Sequence, residues 1–204
     1  MPHPDGMFAV RAVRRHGAFL IIACAVAAAQ WPAQSAAAQE VSVVTVREGE
    51  FVTVSATAQM QVDPRIAWEV LSDYDHLAEF IPDMLSSRVV LRNADGIRVE
   101  QKGEIGFLFF RRPLEVTLAV IEEPPLRIVA RGVAGNVKDM EARYELQSSQ
   151  AGVKLSYHGR FIPGFFLPPF FGMAIVRNSM ERQFRAMVGE ILRRDALARS
   201  KAAH

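Results

Sequence analysis

Cysteine is nearly missing from this chain: Cys24 is the single one in 204 residues. No disulfide can form within the chain, and once the N-terminal segment containing Cys24 is removed no thiol nucleophile remains. Neither His76 nor His158 has metal-ligand company at useful spacing, so a zinc or iron site is not expected. There is no glycine-rich phosphate loop. An excess of one charge is also missing, since 24 basic residues stand against 22 acidic ones. A nucleic-acid-binding face would need clustered Lys and Arg without matching acids.

The apolar run Gly17 to Ala29 is about thirteen residues, short of the roughly twenty that a bilayer-spanning helix requires. Arg11, Arg14 and Arg15 precede it, and a stretch of small residues ends at Ala36-Ala37-Ala38. That is the layout of a secretory signal, with cleavage expected after Ala38 and a periplasmic or secreted destination. Two variants stay open. Arg14-Arg15 would suit a twin-arginine signal, and Ile21-Ile22-Ala23-Cys24 resembles a lipoprotein processing box that would leave Cys24 acylated. The run continues past Cys24 to Ala29, which suits simple cleavage better. Residues 1–38 carry three arginines and one aspartate, so without them the formal charge of +2 falls to zero. The remainder is expected to comprise a lead-in at 39–50, one domain at 51–198 and a loose tail at 199–204, which is enough chain for one sizeable core.

Hydrophobic periodicity then assigns the elements. Val52, Val54, Ala56, Ala58, Met60 and Val62 alternate with mainly polar residues, as on a half-buried strand. Asp63 caps a helix that starts at Pro64 and buries Ile66, Ala67, Val70, Leu71 and Tyr74. A second short helix offers Leu77, Phe80, Ile81, Met84 and Leu85. Alternation returns at Ile97 and Val99, at Leu114 to Val120, over Arg127 to Val133, at Met140 to Leu146 and from Val153 to Phe161. Short polar connections between these strands imply an antiparallel sheet. From Phe170 to about Ala198, Met173, Val176, Met180, Phe184, Met187, Val188 and Ile191 recur at helical spacing. The expected class is α+β, about seven strands whose dry face is buried by that helix and the two short ones.

Pro64, Trp68, Leu71 and Asp73-Tyr74, followed by Phe80-Ile81-Pro82 and Ser86-Ser87, resemble the START-like superfamily. Within it they resemble the polyketide cyclase/dehydrase and lipid-transport family, related to coenzyme Q-binding proteins. The Pro163-Gly164-Phe165-Phe166-Leu167-Pro168-Pro169 approach to the closing helix also looks like this family. The resemblance implies a helix-grip fold, a curved antiparallel sheet wrapped around the C-terminal helix with an elongated apolar cavity between them. It also implies a lipid, quinone or polycyclic ligand. It implies no catalytic set and no cofactor, because members share the cavity more than any residue.

Met173, Met180 and Met187, at steps of seven with Phe184 between, present soft side chains suited either to a guest molecule or to ordinary core filling. Met60, Trp68 and Phe80 are read the same way. Gln101, Tyr144 and Tyr157 fall on the inward phase of their strands. Each either orients a ligand oxygen or bonds to a protein neighbour. Phe107, Phe109, Phe110, Arg111 and Arg112, with Phe165, Phe166 and Phe170, would serve as a membrane-docking tip or as a lid over the cavity. His158 lies on an outward phase. His76, beside Asp73 and Asp75, belongs to a helix end, with proton transfer as the sharper alternative. The leading expectation is a non-catalytic exported protein that binds a hydrophobic small molecule and contacts a membrane surface transiently. A cyclase, dehydratase or isomerase using Tyr144, Tyr157 or His76 is the rival. A module binding another envelope protein is the third reading, and it predicts a filled interior.

Overall fold

The computed structural model describes residues 40–107, 110–150, 152–164 and 166–203. The expected signal segment, with its expected cleavage after Ala38, and Cys24 lie outside the described residues. Eight strands are present among those described: β1 (Ser42–Glu48), β2 (Phe51–Met60), β3 (Met84–Asn93), β4 (Gly96–Phe107), β5 (Phe110–Glu123), β6 (Arg127–Gly135), β7 (Val137–Ser149) and β8 (Gly152–Pro163). Helices α1 (Pro64–Leu71) and α2 (Leu77–Phe80), separated by a 3-10 turn at Tyr74–His76, join β2 to β3, and α3 (Gly172–Ala202) closes the chain. The sheet is antiparallel throughout, in the order β1-β2-β8-β7-β6-β5-β4-β3. The expected α+β class holds.

The strand count is one higher than the seven expected. Ser42–Glu48, read as a lead-in, pairs with β2 from Ser42 opposite Thr57 to Glu48 opposite Phe51. Val43 is buried there, but Val44 and Val46 are exposed. Apolar residues on both phases of an edge strand erase the alternation that marks the others. At the opposite end, α3 runs to Ala202 and takes in residues read as a loose tail.

Topology explains why the two short helices matter. β2 lies second from one edge and β3 forms the other, so the segment between them must cross the width of the sheet. It crosses on the side where α3 packs, with α1 and α2 both touching that helix. Asp63 caps α1 by accepting the Arg65 backbone N–H at 2.8 Å, and Pro64 occupies the first turn, where no N–H is needed. The second helix is shorter than its apolar spacing suggested. Ile81, preceding Pro82, is driven to an extended ψ of 118°, and Asp83 turns the chain with φ of 63°. Met84 and Leu85, assigned to the helix from spacing, therefore open β3.

Inward residues of the sheet form one core with α3, whose Ile175, Val176, Phe184, Met187, Val188 and Ile191 are all buried. At the β7–β8 turn, Gly152 has φ of 99°, and a Cβ there would stand 2.1 Å from the Met60 carbonyl oxygen. Gly152→Ala is expected to lower stability by about 2 kcal/mol, from backbone strain and the backbone clash together. Urea unfolding at neutral pH measures it.

Candidate functional site

A cavity of about 200 Å³ lies between the sheet and α3. Its floor follows from register. Val120, Ala130, Ala142 and Gly159 stand in one row across β5, β6, β7 and β8, each the register partner of the next. All four are inward-facing; Ala130 and Ala142 leave the floor low, while the space over Gly159 is taken by the Tyr157 ring. In the next row Ile128, Tyr144 and Tyr157 face in together. The roof is the face of α3 carrying Val176, Ser179, Met180, Gln183, Phe184 and Met187. Leu77 and Ile81 of the crossing segment, with Met84, form a side wall. The enclosure is predominantly apolar, the condition for gaining affinity by removing a guest's surface from water.

The polar groups facing this space divide into satisfied and unsatisfied ones. The Tyr74 hydroxyl donates to the Glu122 carboxylate at 2.8 Å, and the Gln101 side-chain amide donates to the Ser87 hydroxyl at 3.3 Å. Tyr144 and Tyr157 stack across β7 and β8 with ring centroids 4.8 Å apart and planes tilted by 50°. The Tyr157 ring lies along the strand, and a Cβ at Gly159 would sit 2.3 Å from its hydroxyl oxygen. Neither of these two hydroxyls has a hydrogen-bond partner among the described residues. Burial pushes the Tyr144 phenol up to about 12. Burial also raises that of Tyr157, with Tyr144 adding to the effect. Both are therefore neutral donors at any physiological pH.

Charged groups gather where the lining reaches the surface, at Asp83, Lys102 and Glu104. Arg182 of α3 forms a salt bridge with Asp83, tying the helix to the turn after α2. The Glu104 backbone N–H donates to the Asp83 carbonyl at 2.8 Å. The Glu104 side chain is held by Arg111 at 2.9 Å. The turn at Ile81–Asp83 is thus fastened on both sides of the opening.

Of the residues singled out in the sequence, Gln101, Tyr144, Tyr157, Met180, Phe184 and Met187 line the cavity. Met60, Trp68, Phe80 and Met173 do not. Met60 is fully buried opposite Val153 at the far end of β2, and the other three pack half-buried against the core. Phe166 and Phe170 are exposed, at 67% and 97%, and neither is part of the lining, so they do not form the lid that was one expectation. Arg111 and Arg112 are exposed as well. Phe109, Phe165 and the side chains of Phe107 and Phe110 lie outside the described residues. His76 is exposed and away from the cavity, its Nδ1 2.5 Å from Asp73. His158 is exposed beside the Ser55 hydroxyl. Sequence reasoning missed Ser179, Gln183 and the small-residue floor. The signal for the floor was there, as alanines at inward positions of the consecutive strands β6 and β7.

Residues 52–194 match the family model described as polyketide cyclase/dehydrase and lipid transport. The chain belongs to this family. Members of the START superfamily share its fold among solved structures. The START superfamily protein from Mycobacterium smegmatis is 15% identical with a TM-score of 0.59, over 69% of this chain and 97% of that one. The Zhui aromatase/cyclase from Streptomyces sp. R1128 is 16% identical with a TM-score of 0.58, over 72% and 94%. A STAR-related lipid transfer protein fragment from Xanthomonas axonopodis is 14% identical with a TM-score of 0.58, over 78% and 96%. A comparison with curated proteins finds no match. The polyketide cyclase/dehydrase and lipid-transport family thus supplies two broad options for the cavity, binding a hydrophobic molecule or transforming one.

Proposed function

We propose that this protein is a non-catalytic, exported carrier of a hydrophobic small molecule. The observation that carries the reading is the apolar cavity enclosed by the sheet, α3 and the Leu77–Ile81 wall. Burial of apolar ligand surface at roughly 25 cal/mol per Å² supplies the affinity. The third reading, a protein-binding module, called for a filled interior, and the cavity weighs against it. Export rests on the N-terminal signal pattern. Exchange with a membrane is supported by Phe166, Phe170 and Phe171, exposed together just before and at the start of α3.

The rival reading is a cyclase or dehydratase, favoured by the family and by two protonated tyrosine hydroxyls facing the cavity. Raised phenol pKa values count against proton donation as a catalytic step, while leaving hydrogen bonding to a ligand oxygen intact. His76, outside the cavity, takes no part in either reading. The test is organic extraction of the full chain purified from cells, followed by mass spectrometry. A single hydrophobic compound class near equimolar amount is the expected result. Protein that comes out empty, and stays empty when exposed to a lipid extract, would overturn the proposal. Cell fractionation showing the chain in the cytoplasm with its first 38 residues still attached would overturn its export.

A further inference from the structure

The cavity restricts the chemistry of its occupant more tightly than apolar lining alone. We propose, resting on the ligand-binding reading above, that the occupant is a neutral ring compound bearing a carbonyl or hydroxyl oxygen, which enters oxygen-first until it meets Tyr144 and Tyr157. Tyr157 is 7% exposed and its hydroxyl has no partner among the described residues. Tyr144 lies beside it and is equally unpartnered. Both oxygens open onto the cavity instead of being sealed within protein, so whatever fills the cavity must supply the partner that a tyrosine hydroxyl almost always finds. Tyr74 and Gln101, facing the same space, have found theirs in Glu122 and Ser87. The Tyr144–Tyr157 pair is where a ligand oxygen is wanted.

The same lining rejects an anion. Lys102 is the single cation on it, exposed at the rim and facing Glu115 at 3.7 Å, with Asp83 and Glu104 adding negative charge there. A carboxylate or phosphate carried to the tyrosines would be buried without a counter-charge, the costliest arrangement a chamber of this kind can impose. Size narrows the class further. A dry cavity of ~150 Å³ holds benzene, so about 200 Å³ suits a fused two-ring head, with any longer tail leaving past Asp83 and Glu104.

Isothermal titration of the full chain with tetralin, 1-tetralone and tetralin-1-carboxylate at neutral pH tests this. Tetralone is expected to bind about tenfold more tightly than tetralin, the worth of a well-placed buried hydrogen bond. The carboxylate should bind at least about tenfold more weakly than tetralone. In the Tyr144→Phe/Tyr157→Phe double variant, tetralone should lose its advantage over tetralin, with far-UV circular dichroism and a urea midpoint showing that the variant is folded; an advantage that survives in the folded variant would overturn the tyrosine anchor. Equal affinity for tetralone and tetralin in the unaltered chain would overturn the oxygen anchor and leave hydrophobic binding standing. Tightest binding of the carboxylate would overturn the neutral class. Failure of all three probes would overturn this inference, while the extraction experiment above decides the carrier reading by itself.

Discussion

Replacing Ala142 by leucine is expected to weaken ligand binding by about a hundredfold while the folded state keeps or gains stability. Ala142 stands in the middle of the low row, with Ala130 on one side and Gly159 on the other. Its side chain faces the cavity directly. A leucine there occupies space that the ligand would otherwise fill. A guest displaced by three or four methylene equivalents forfeits about 3 kcal/mol at ~0.8 kcal/mol each, which is the hundredfold loss. Enlarging a residue in a filled core usually costs 1–3 kcal/mol (about the range for overpacking), because neighbours must shift. Here the added atoms enter a void, so that penalty should be missing. Ala130→Leu, approaching from the adjacent strand, should act in the same direction. Titration with 1-tetralone beside urea unfolding separates the outcomes. Unchanged affinity would mean that the ligand does not lie on this floor, and a loss of both affinity and stability would mean that no space was there to fill.

Why the floor escaped notice in the sequence, while the helix and most strands did not, has a physical cause. β2 is legible because Val52 to Met60 alternate without interruption and every even position is buried. α3 is legible for the same reason at a period of 3.6. Inward phase, however, says only that a side chain leaves water, not whether it meets protein or a void. Met180 and Met187 face the cavity whereas Met173, on the same face one heptad earlier, packs against the core. Met60 and Tyr157 are both inward, yet they lie far apart along the β2–β8 register, and only Tyr157 lines the cavity. Ala130, Ala142 and Gly159 are more than ten residues apart in the chain and become neighbours only through strand register. Register depends on turn geometry and on bulges such as those at Lys138–Glu141 and Thr117–Leu118, which composition does not reveal. The helix end at Phe80 is legible from the break at Ile81-Pro82. Only the apolar spacing of Met84 and Leu85 carries the second helix's face past it into what is β3.

The second large effect belongs to a charged cluster that holds the crossing segment to α3. Glu190 is nearly buried, at 9% exposure, and its carboxylate accepts three hydrogen bonds of 2.7 Å from Arg193 and Arg194. Arg194 reaches on to Asp73 at 2.9 Å, beyond the end of α1. Hydrogen bonds from Arg193 hold the Glu190 pKa down at about 2, against the opposing pull of burial and with help from Arg194. Since the folded pKa lies below that of the unfolded chain, the ionised form stabilises the fold. That contribution is complete above the unfolded value of 4.5 and is lost as pH falls through about 2. The shift corresponds to about 3 kcal/mol, reduced toward about 2 kcal/mol because Arg193 is 59% exposed and its pairing is screened. Glu190→Gln, which keeps the shape and removes the charge, is therefore expected to lower stability by about 2 kcal/mol at pH 7. The deficit should be the same at pH 5, where Glu190 is still ionised in both states, and should shrink from pH 4.5 downward as the unfolded wild-type chain takes up its proton. Urea midpoints of both proteins at pH 7, 5 and 3.5 measure this directly. A deficit that persists undiminished at pH 3.5 would assign it to lost packing instead of charge. Restoring Glu190 would then matter for shape alone, and the attachment of the cavity wall to α3 would rest on its apolar contacts.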